Sequence, residues 1–560
     1  MNLRPNPGQQ DLIDRTDGVF VVDAGAGTGK TAAITRRYQR LLEKASPEKI
    51  LLLTFTNNAA ENMRERIINA CTGTHSPKEL VEAPIATFHS YAHRLLSMHG
   101  FNAPAYLGIP ETLPPGFRVM ESDVFEKHLF RRFFHDFQPR HSEHADTFQG
   151  LGADTDSLFG LIRQLCCKGI FPSRDGWCIN GKALLAGDRE GFMQHFEYIN
   201  TPIPGSRSAK ASPCLSSFRD KLSGKTYQTD LDPVDNRISL NPGEDMPLFT
   251  PNQVNPALAG PAWDENRDAL FSCVHDVYFE YIQYSLRSGR INFDLLLMFT
   301  FVLLYHNHGL RQAIAFEYVM VDEFQDTNEI QFQLVLLLMK QSNLCVVGDW
   351  KQGIYSFRHA SISNILEFDE HLEHYREILN QDYERIPFQL KAEHKEFDIN
   401  YRSSQTILDF SEKALLAPGN RTEQIDPAIR KDITALKADH SLDDATAIRF
   451  LQTDNDEYDL VLDSINALIS NPDCRVKSRE DDGSYSERPV RLSDIAVFTR
   501  TRQFGLELQE TALERGIPVN YDGGIELFRT RPALLLLAWL RVILNGHHRE
   551  GWITILEEAG

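Results

Sequence analysis

The chain has 560 residues, more than one hydrophobic core normally supports, so we expect several domains. Its 42% hydrophobic and 24% charged residues are typical of a soluble globular protein, and no stretch approaches the ~20 apolar residues of a membrane helix. A net charge of −20 argues against bulk electrostatic coating of nucleic acid, although a local groove is still compatible with it. The N-terminus has no apolar signal-peptide stretch, so we expect an intracellular, cytoplasmic protein.

Strands and helices alternate along the first hundred residues. The apolar runs 19–22, 50–55 and 85–88 predict strands, and apolar residues at helical spacing follow each of them. This alternation predicts a parallel sheet with helices on both faces. From about 101 to 290 the pattern changes to helices with aromatic faces, interrupted at about 200–262 by a segment rich in Pro, Ser, Asn and Gly. We therefore expect a mostly helical insertion domain with a long irregular segment.

The alternating pattern resumes near residue 316. Two apolar runs, 318–321 and 343–348, predict buried strands that each end on an acidic residue, and the acidic stretch 367–377 predicts a solvated helix face.

The cysteines are dispersed, and even Cys166, Cys167 and Cys178 match neither a zinc spacing nor a disulfide framework. We expect them to be reduced thiols.

A second α/β segment is expected to begin near Phe397. It should include the apolar runs 447–451 and 495–499, with an exposed loop over 471–489 between them. A strongly apolar helix is expected over 533–540.

A glycine-rich loop at 24–31, Ala-Gly-Ala-Gly-Thr-Gly-Lys-Thr, joins the first strand to the first long helix. Small residues let successive backbone N–H groups turn toward phosphate oxygens, and the helix presents its positive end to them. Lys30 would reach the terminal phosphates, and the Thr31 hydroxyl would bind Mg²⁺. A plain glycine-rich turn is the alternative, but the flanking strand and helix favour a phosphate-binding loop.

Asp322 and Glu323 follow the apolar strand 318–321. The first carboxylate would hold Mg²⁺ and the second would act as general base toward the attacking water. A surface acid pair is the alternative, although the apolar residues before it favour the end of a strand. Together with the loop at 24–31, the pair predicts nucleotide hydrolysis with ATP and Mg²⁺.

These motifs resemble those of the UvrD/Rep-type superfamily 1 DNA helicases. The stretch Asp-Glu-Phe-Gln-Asp-Thr-Asn at 322–328 is nearly a signature of that family, as is the form of the loop at 24–31. The resemblance runs through most of the chain outside the 101–290 insertion. It implies an α/β fold with RecA-like P-loop motor domains and a mostly helical insertion domain.

Further motifs occur in the order expected of this family. Asn6-Pro7-Gly8-Gln9 is similar to the adenine-reading motif, and Asn400-Tyr401-Arg402 to the motif that opens the second motor domain. The resemblance implies that Tyr401 stacks on adenine, while Arg402 reaches the γ-phosphate from across the cleft. The nucleotide would be held by Gln9, Ala26, Gly27, Thr28, Gly29, Lys30, Thr31, Tyr401 and Arg402. The residues implied in catalysis are Glu323, Asp322, Lys30, Gln352 and Arg402.

The same resemblance implies a path for single-stranded DNA. Segments 54–57 and 87–90 are similar to DNA-contacting motifs, and 348–358 to the motif that couples nucleotide to DNA. Gln352 would sense the γ-phosphate, while two aromatic rings would stack on bases without regard to sequence. The residues implied in DNA contact are Thr54, Phe55, Thr56, Asn57, His89, Tyr355, Phe357 and Arg358.

The resemblance also sets expected boundaries. These are a first motor domain at 1–100 and 291–395, the insertion at 101–290, an incomplete second motor domain at 396–525, and the start of a second insertion at 526–560. Nothing after residue 493 matches the last two motifs of the family, and we find no nuclease motif. We therefore expect a truncated product of a longer helicase, with half of a split motor or a degenerate ATPase as alternatives.

The expected function is an ATP-dependent DNA helicase or translocase of the 3′-to-5′ type in repair, recombination or defence. Its expected partner is single-stranded DNA or a duplex with a single-stranded tail, and the 101–290 insertion is a candidate surface for a protein partner. The alternative is a non-unwinding, ATP-binding switch or scaffold in a DNA-processing complex.

Overall fold

The structure is a computed structural model. It describes residues 5–71, 76–114, 116–120, 123–145, 155–179, 182–183, 229–232, 237–240, 267–353, 362–416, 435–439, 448–453, 456–479, 485–499, 501–521, 531–544, 546, 552 and 554–555. Contacts divide the chain into two compact units, bounded by Pro5–Thr446 and Ala447–Gly560. The predicted irregular segment at 200–262 lies almost wholly outside the described residues.

Six strands form the central sheet of the first unit. They are β1 (Val19–Ala24), β2 (Ile50–Thr54), β3 (Ile85–Thr87), β4 (Tyr318–Val321), β5 (Leu344–Gly348) and β6 (Ala392–Phe397). Their spatial order is β6-β1-β5-β4-β2-β3, and every neighbouring pair is parallel. The predicted parallel sheet is confirmed.

Helices cover both faces of this sheet and build the insertion. They are α1 (Pro7–Asp14), α2 (Lys30–Leu42), α3 (Asn57–Ala70), α4 (Pro77–Glu82), α5 (Phe88–His99), α6 (Asp123–Phe137), α7 (Thr155–Cys167), α8 (Arg267–Ser288), α9 (Phe293–His306), α10 (His308–Ile314), α11 (Glu329–Leu338), α12 (Ser363–Leu366), α13 (Phe368–Leu379) and α14 (Gln405–Leu416). Several begin directly after a strand at a polar cap, since Thr56 caps α3 and Thr87 caps α5.

The two faces of the sheet belong to different hydrophobic clusters. In β1, Val19 and Val21 join the larger cluster, which also includes the insertion helices, whereas Phe20 and Val22 join the smaller one with α2 and α3. This alternation follows from the two-residue period of a strand. Because both faces are buried, β2, β4 and β5 are continuous apolar runs.

The insertion combines helices with short strands. Aromatic residues of α6, including Phe130 and Phe133, pack against Tyr281 of α8, which confirms the predicted helices with aromatic faces. An unpredicted antiparallel sheet follows α7. Its strands are Ile170–Ser173, Gly176–Ile179 and Lys182–Ala183. The remaining short strands of this unit pair as Phe101–Asn102 with Thr112–Leu113, Arg118–Val119 with Arg290–Ile291, Thr229–Asp232 with Arg237–Leu240, and Ile399–Asn400 with Lys437–Ala438.

Cys166, Cys167 and Cys178 are buried in this insertion and form no disulfide. Burial raises the pKa of each of these thiols above the ordinary value, so they remain protonated. The expectation of reduced thiols agrees with this environment.

The second unit contains α15 (Glu457–Ser470), α16 (Arg502–Glu514) and α17 (Arg531–Leu544). Helices α15 and α16 pack through a small cluster that includes Leu462 and Leu508. The expected apolar helix at 533–540 is confirmed as part of α17.

Two expectations for this unit are wrong. The segment 471–489 contains an antiparallel hairpin, Arg475–Arg479 with Tyr485–Pro489, instead of a loop. The described parts of 447–451 and 495–499 form no strands, and the Phe498 side chain is 95% exposed. A strand requires a neighbour in a ladder, and the described residues of this unit provide none beside these runs.

None of the described helices combines the length and the apolar character needed to cross a membrane.

Arg37 of α2 is 2% exposed and donates hydrogen bonds to the carbonyls of Leu12, Arg15 and Thr16, which tie α1 and the loop after it to α2. We expect Arg37→Met to keep the apolar stem but leave these carbonyls without a donor. The free energy of unfolding of the chain should fall by about 3 kcal/mol in urea titrations. Arg40→Met on the exposed face of the same helix is the control, with an expected loss of about 0.5 kcal/mol or less. Equal losses in the two variants would contradict this role.

Candidate functional site

The loop between β1 and α2 turns at two glycines with positive φ. Gly27 has φ +75° and Gly29 has φ +82°, a region that other residues rarely adopt. No side chain caps the first turn of α2. The amide groups at this helix end are therefore suited to bind an anion such as phosphate.

A second segment of the chain packs directly on this loop. Asn400 is 1% exposed and donates a side-chain hydrogen bond to the Ala26 carbonyl, while the Tyr401 amide donates to the Gly27 carbonyl at 2.9 Å. A Cβ on Gly27 would lie 2.7 Å from the Cβ of Arg402. This close approach brings Arg402, which is exposed, beside the phosphate-binding loop.

Gln9 fills the other side of the loop. Its Nε2 donates to the Thr28 carbonyl at 2.8 Å, and its Oε1 accepts from the Asn6 amide at 3.0 Å. Gln10 is exposed, so the glutamine next to the loop is Gln9. Asn6 also donates to the Tyr401 hydroxyl at 3.2 Å, which joins the two residues expected at adenine. The adenine contacts themselves remain a prediction.

The carboxylates follow β4 at the same edge of the sheet. The Asp322 amide donates to the Leu53 carbonyl of β2 at 2.9 Å. This hydrogen bond fixes the position of Asp322 just after the end of β4. Glu323 is the only described residue other than glycine with positive φ, at 52°. Its Oε2 lies 3.2 Å from Nζ of Lys30. The loop lysine and the expected general base are thus in contact.

Burial, and then the nearby charge of Glu323, raise the pKa of Asp322 to about 6, against the opposing effect of Lys30. An ionised carboxylate is therefore costly here without a nearby cation. The position fits a magnesium site, because Mg²⁺ prefers carboxylate and hydroxyl oxygens and would compensate this charge. Asp322, together with Thr31 beside the loop lysine, would hold the ion.

A chain of hydrogen bonds leaves Glu323 toward the segment after β5. Gln325 Nε2 donates to Glu323 Oε2 at 2.9 Å, and Gln325 Oε1 accepts from the Asp349 amide at 3.0 Å. Gln352 Nε2 then donates to Asp349 Oδ2 at 2.7 Å. The expected γ-phosphate sensor is therefore connected to the expected general base through Gln325 and Asp349, which we call the Gln325 relay.

Sequence reasoning assigned no role to Gln325, Asp349 or Lys351. The Lys351 ammonium lies 3.2 Å from Asp349 and 3.4 Å from Asp23 of β1. A buried acid at the end of a strand, with a lysine two residues later, was the available signal. Lys351 thus ties the segment after β5 to the strand that enters the loop.

A shallow groove lies between α3 and α5. Its lining includes Asn57, Arg64, Ser90 and Arg94. Asn57 Oδ1 accepts from the Ser90 hydroxyl at 3.1 Å, so the segments expected to contact DNA meet here. The Arg64 guanidinium donates to the carbonyls of Val81, Ala83 and Ile85. The Arg94 guanidinium, beside an amide and a hydroxyl, therefore suits a phosphodiester backbone better.

The remaining expected DNA contacts differ in exposure. Thr54 is buried and its hydroxyl donates to the Thr56 carbonyl, whereas Thr56 and Asn57 are exposed. Phe55 and His89 are half-buried, and the His89 ring packs edge-on against Phe293. The expected contacts Tyr355, Phe357 and Arg358 lie outside the described residues.

The fold and this arrangement define a P-loop nucleotide-binding protein with a RecA-like sheet. The family model of the UvrD/REP helicase N-terminal domain matches residues 5–373, and that of the UvrD-like helicase C-terminal domain matches 396–559. The chain belongs to the UvrD/REP helicase family.

Curated relatives agree with this assignment. The chain is 24% identical to ATP-dependent DNA helicase PcrA of Leuconostoc citreum over 558 residues, which cover 99% of this chain and 54% of the relative. It is 25% identical to PcrA of Bacillus subtilis (strain 168), over 96% of this chain and 53% of the relative. It is 26% identical to ATP-dependent DNA helicase UvrD1 of Mycobacterium tuberculosis (strain ATCC 25618 / H37Rv), over 96% and 52%. The chain spans about half the length of the curated relatives it matches.

The expected truncation is not borne out, because the C-terminal family model matches residues 396–559. The expected domain boundaries remain a proposal.

We expect Gly27→Ala to weaken ATP binding at least tenfold, because the added Cβ would collide with Arg402 and Asn400 at a positive φ. Titration with a fluorescent ATP analogue measures the affinity. Gly116→Ala is the matched control, since Gly116 also has positive φ, at +77°, but open space around its Cβ. An unchanged affinity in Gly27→Ala would show that the close approach is dispensable.

Proposed function

We propose that the chain is the motor part of an ATP-dependent DNA helicase or translocase that moves along single-stranded DNA. The observation that carries this proposal is the Gln325 relay, because it joins the residues expected at the γ-phosphate to the segment expected to hold DNA. The names of the relatives, ATP-dependent DNA helicases PcrA and UvrD1, support the same activity.

The loop after β1 would hold the phosphates of ATP through its backbone amides, with Lys30 on the terminal phosphates. Bound Mg²⁺ would supply positive charge to the phosphate oxygens as the leaving group departs. Glu323 lies beside Lys30 and is the carboxylate placed to take a proton from the attacking water. Phosphate oxygens would compete with Glu323 for the Lys30 ammonium, which would free the carboxylate for this task.

Arg402 would add a second positive charge in the transition state. Its segment is already fixed to the loop by Asn400 and by the Tyr401 amide. Such an arginine stabilises the charge that develops on the transferred phosphoryl group. Tyr401 and Gln9, joined through Asn6, would recognise adenine.

Single-stranded DNA would lie along the groove between α3 and α5. The guanidinium group of Arg94 would contact phosphates there, and the aromatic residues Tyr355 and Phe357 would stack on bases. A 3′-to-5′ direction, a substrate with a single-stranded tail and a place in repair, recombination or defence follow from the family resemblance and are part of the proposal. A protein partner would bind through the 101–290 insertion.

We expect Glu323→Gln to lower the ATPase rate by about 10² to 10⁴-fold while ATP binding is kept, because the amide cannot accept the proton of water. Steady-state phosphate release and equilibrium binding of an ATP analogue separate the two effects. Glu317→Gln is the control, since Glu317 precedes β4 and pairs with Lys49 away from the loop. Wild-type turnover of Glu323→Gln would exclude Glu323 as the base.

We expect Gln325→Ala to reduce the stimulation of ATP hydrolysis by single-stranded DNA at least fivefold, with a smaller effect on hydrolysis without DNA. The relay would lose both of its contacts, while Lys30 and Glu323 stay in place. ATPase rates with and without an oligonucleotide measure this ratio. Gln341→Ala, an exposed position before β5, is the control. A wild-type chain without any stimulation by DNA would instead contradict the motor proposal itself.

A further inference from the structure

Four side chains converge within the insertion, far along the chain from the nucleotide motifs. They are His141, Glu143, His144 and Asp276, and one donor atom of each lies within 4.8 Å of the others. The first three belong to the turns that follow α6, and Asp276 lies within α8.

The side chains are held by paired contacts. His144, whose side chain is 5% exposed, has Nε2 2.8 Å from Asp276 Oδ2. His141 has Nδ1 2.7 Å from Glu143 Oε1 and Nε2 2.7 Å from Glu280 Oε1. Glu280 follows Asp276 by about one helical turn of α8, so both carboxylates lie on the side of the helix that faces the residues after α6.

Asp276 is oriented by a further contact. Its Oδ1 lies 2.8 Å from Nδ1 of His275, whose Nε2 lies 2.8 Å from the Ser173 carbonyl and 3.0 Å from the Gly176 carbonyl. A carbonyl and a carboxylate only accept hydrogen bonds, so both ring nitrogens of His275 carry a proton and Nδ1 donates to Asp276.

We propose that His141, Glu143, His144 and Asp276 bind one divalent transition-metal cation of the zinc class. Two imidazole nitrogens and two carboxylate oxygens are a donor set that Zn²⁺ accepts in a tetrahedron. At about 2.0 to 2.2 Å from the metal, such donors lie roughly 3.4 Å apart. The paired donors would move slightly apart and the more distant ones would move together, by side-chain rotation.

The surrounding groups fit this assignment. With Nδ1 of His141 on the metal, its Nε2–H would donate to Glu280, the outer hydrogen bond that metal-bound imidazoles usually make. Arg140 holds the other oxygen of Glu280 at 2.7 Å. The hydrogen bond between His275 Nδ1 and Asp276 Oδ1 would likewise orient Asp276 toward the metal. The ion would cross-link the turns after α6 to α8 and so stabilise the insertion.

The alternative is a network of ion pairs that binds no metal, and zinc uptake separates the two. The 560-residue chain is stripped with a chelator, dialysed and mixed with ZnCl₂ in excess Mg²⁺, which would compete with zinc at the nucleotide site. We expect one zinc per chain by elemental analysis, a higher midpoint of thermal unfolding, and visible absorption bands typical of four-coordinate cobalt when Co²⁺ replaces zinc. A chain that retains no zinc would overturn the proposal.

Variants locate the ion. We expect His144→Asn to lose the zinc and Glu143→Gln, at an exposed ligand, to bind it at least tenfold more weakly. His135→Asn is the matched control, because His135 is exposed on α6 and lies outside the cluster. Should His144→Asn fail to fold, Glu143→Gln decides, since wild-type zinc affinity in that variant would also overturn the proposal. ATPase activity enters neither readout, so failure here leaves the motor proposal untouched.

Discussion

The parallel direction of the strands is the constraint on which the site depends. In a parallel sheet all strands end at the same edge, so the segments after β1, β5 and β4, which are neighbours in that order, meet there. Residues as distant in sequence as Lys30 and Glu323 are brought to 3.2 Å by this rule. The segment after β5 lies between the other two. This position explains why Gln325 reaches the Asp349 amide, while Gln352 contacts the Asp349 carboxylate in turn.

The insertion is joined to this edge by charged contacts. Arg163 of α7 pairs with Asp294 at 2.6 Å, and Lys168, just beyond α7, pairs with Glu329 at 2.8 Å. Glu329 is the first residue of α11, directly after the carboxylate motif. These two ion pairs connect α7 and the residue after it to the beginnings of α9 and α11.

The sequence predicted the parts of the fold whose cause is local. Continuous apolar runs identified five strands of the sheet, and glycines and carboxylates at strand ends predicted residues that the structure brings together at one edge of it. Strand β6 escaped prediction because Ala392–Phe397 is mostly charged, and its place depends on backbone pairing with β1. The hairpin within 471–489 was not predicted because its strands are mostly polar and have no alternating apolar pattern. The contacts of Gln325 were not predicted because Asp349 lies 24 residues away in sequence. The apolar run at 495–499 shows the reverse, since it forms no strand and the described residues of its unit offer it no ladder partner.

Glu323 adopts a left-handed backbone conformation that costs an ordinary residue of order 1 kcal/mol or more. Lys30 and Gln325 help to hold it there. A glycine at this position would relieve the strain and also remove the carboxylate. Directed evolution toward thermostability alone would therefore favour the loss of this side chain. Variant libraries of this protein need selection for turnover alongside selection for heat resistance. At this position a substitution that favours heat resistance would remove the carboxylate expected to support turnover.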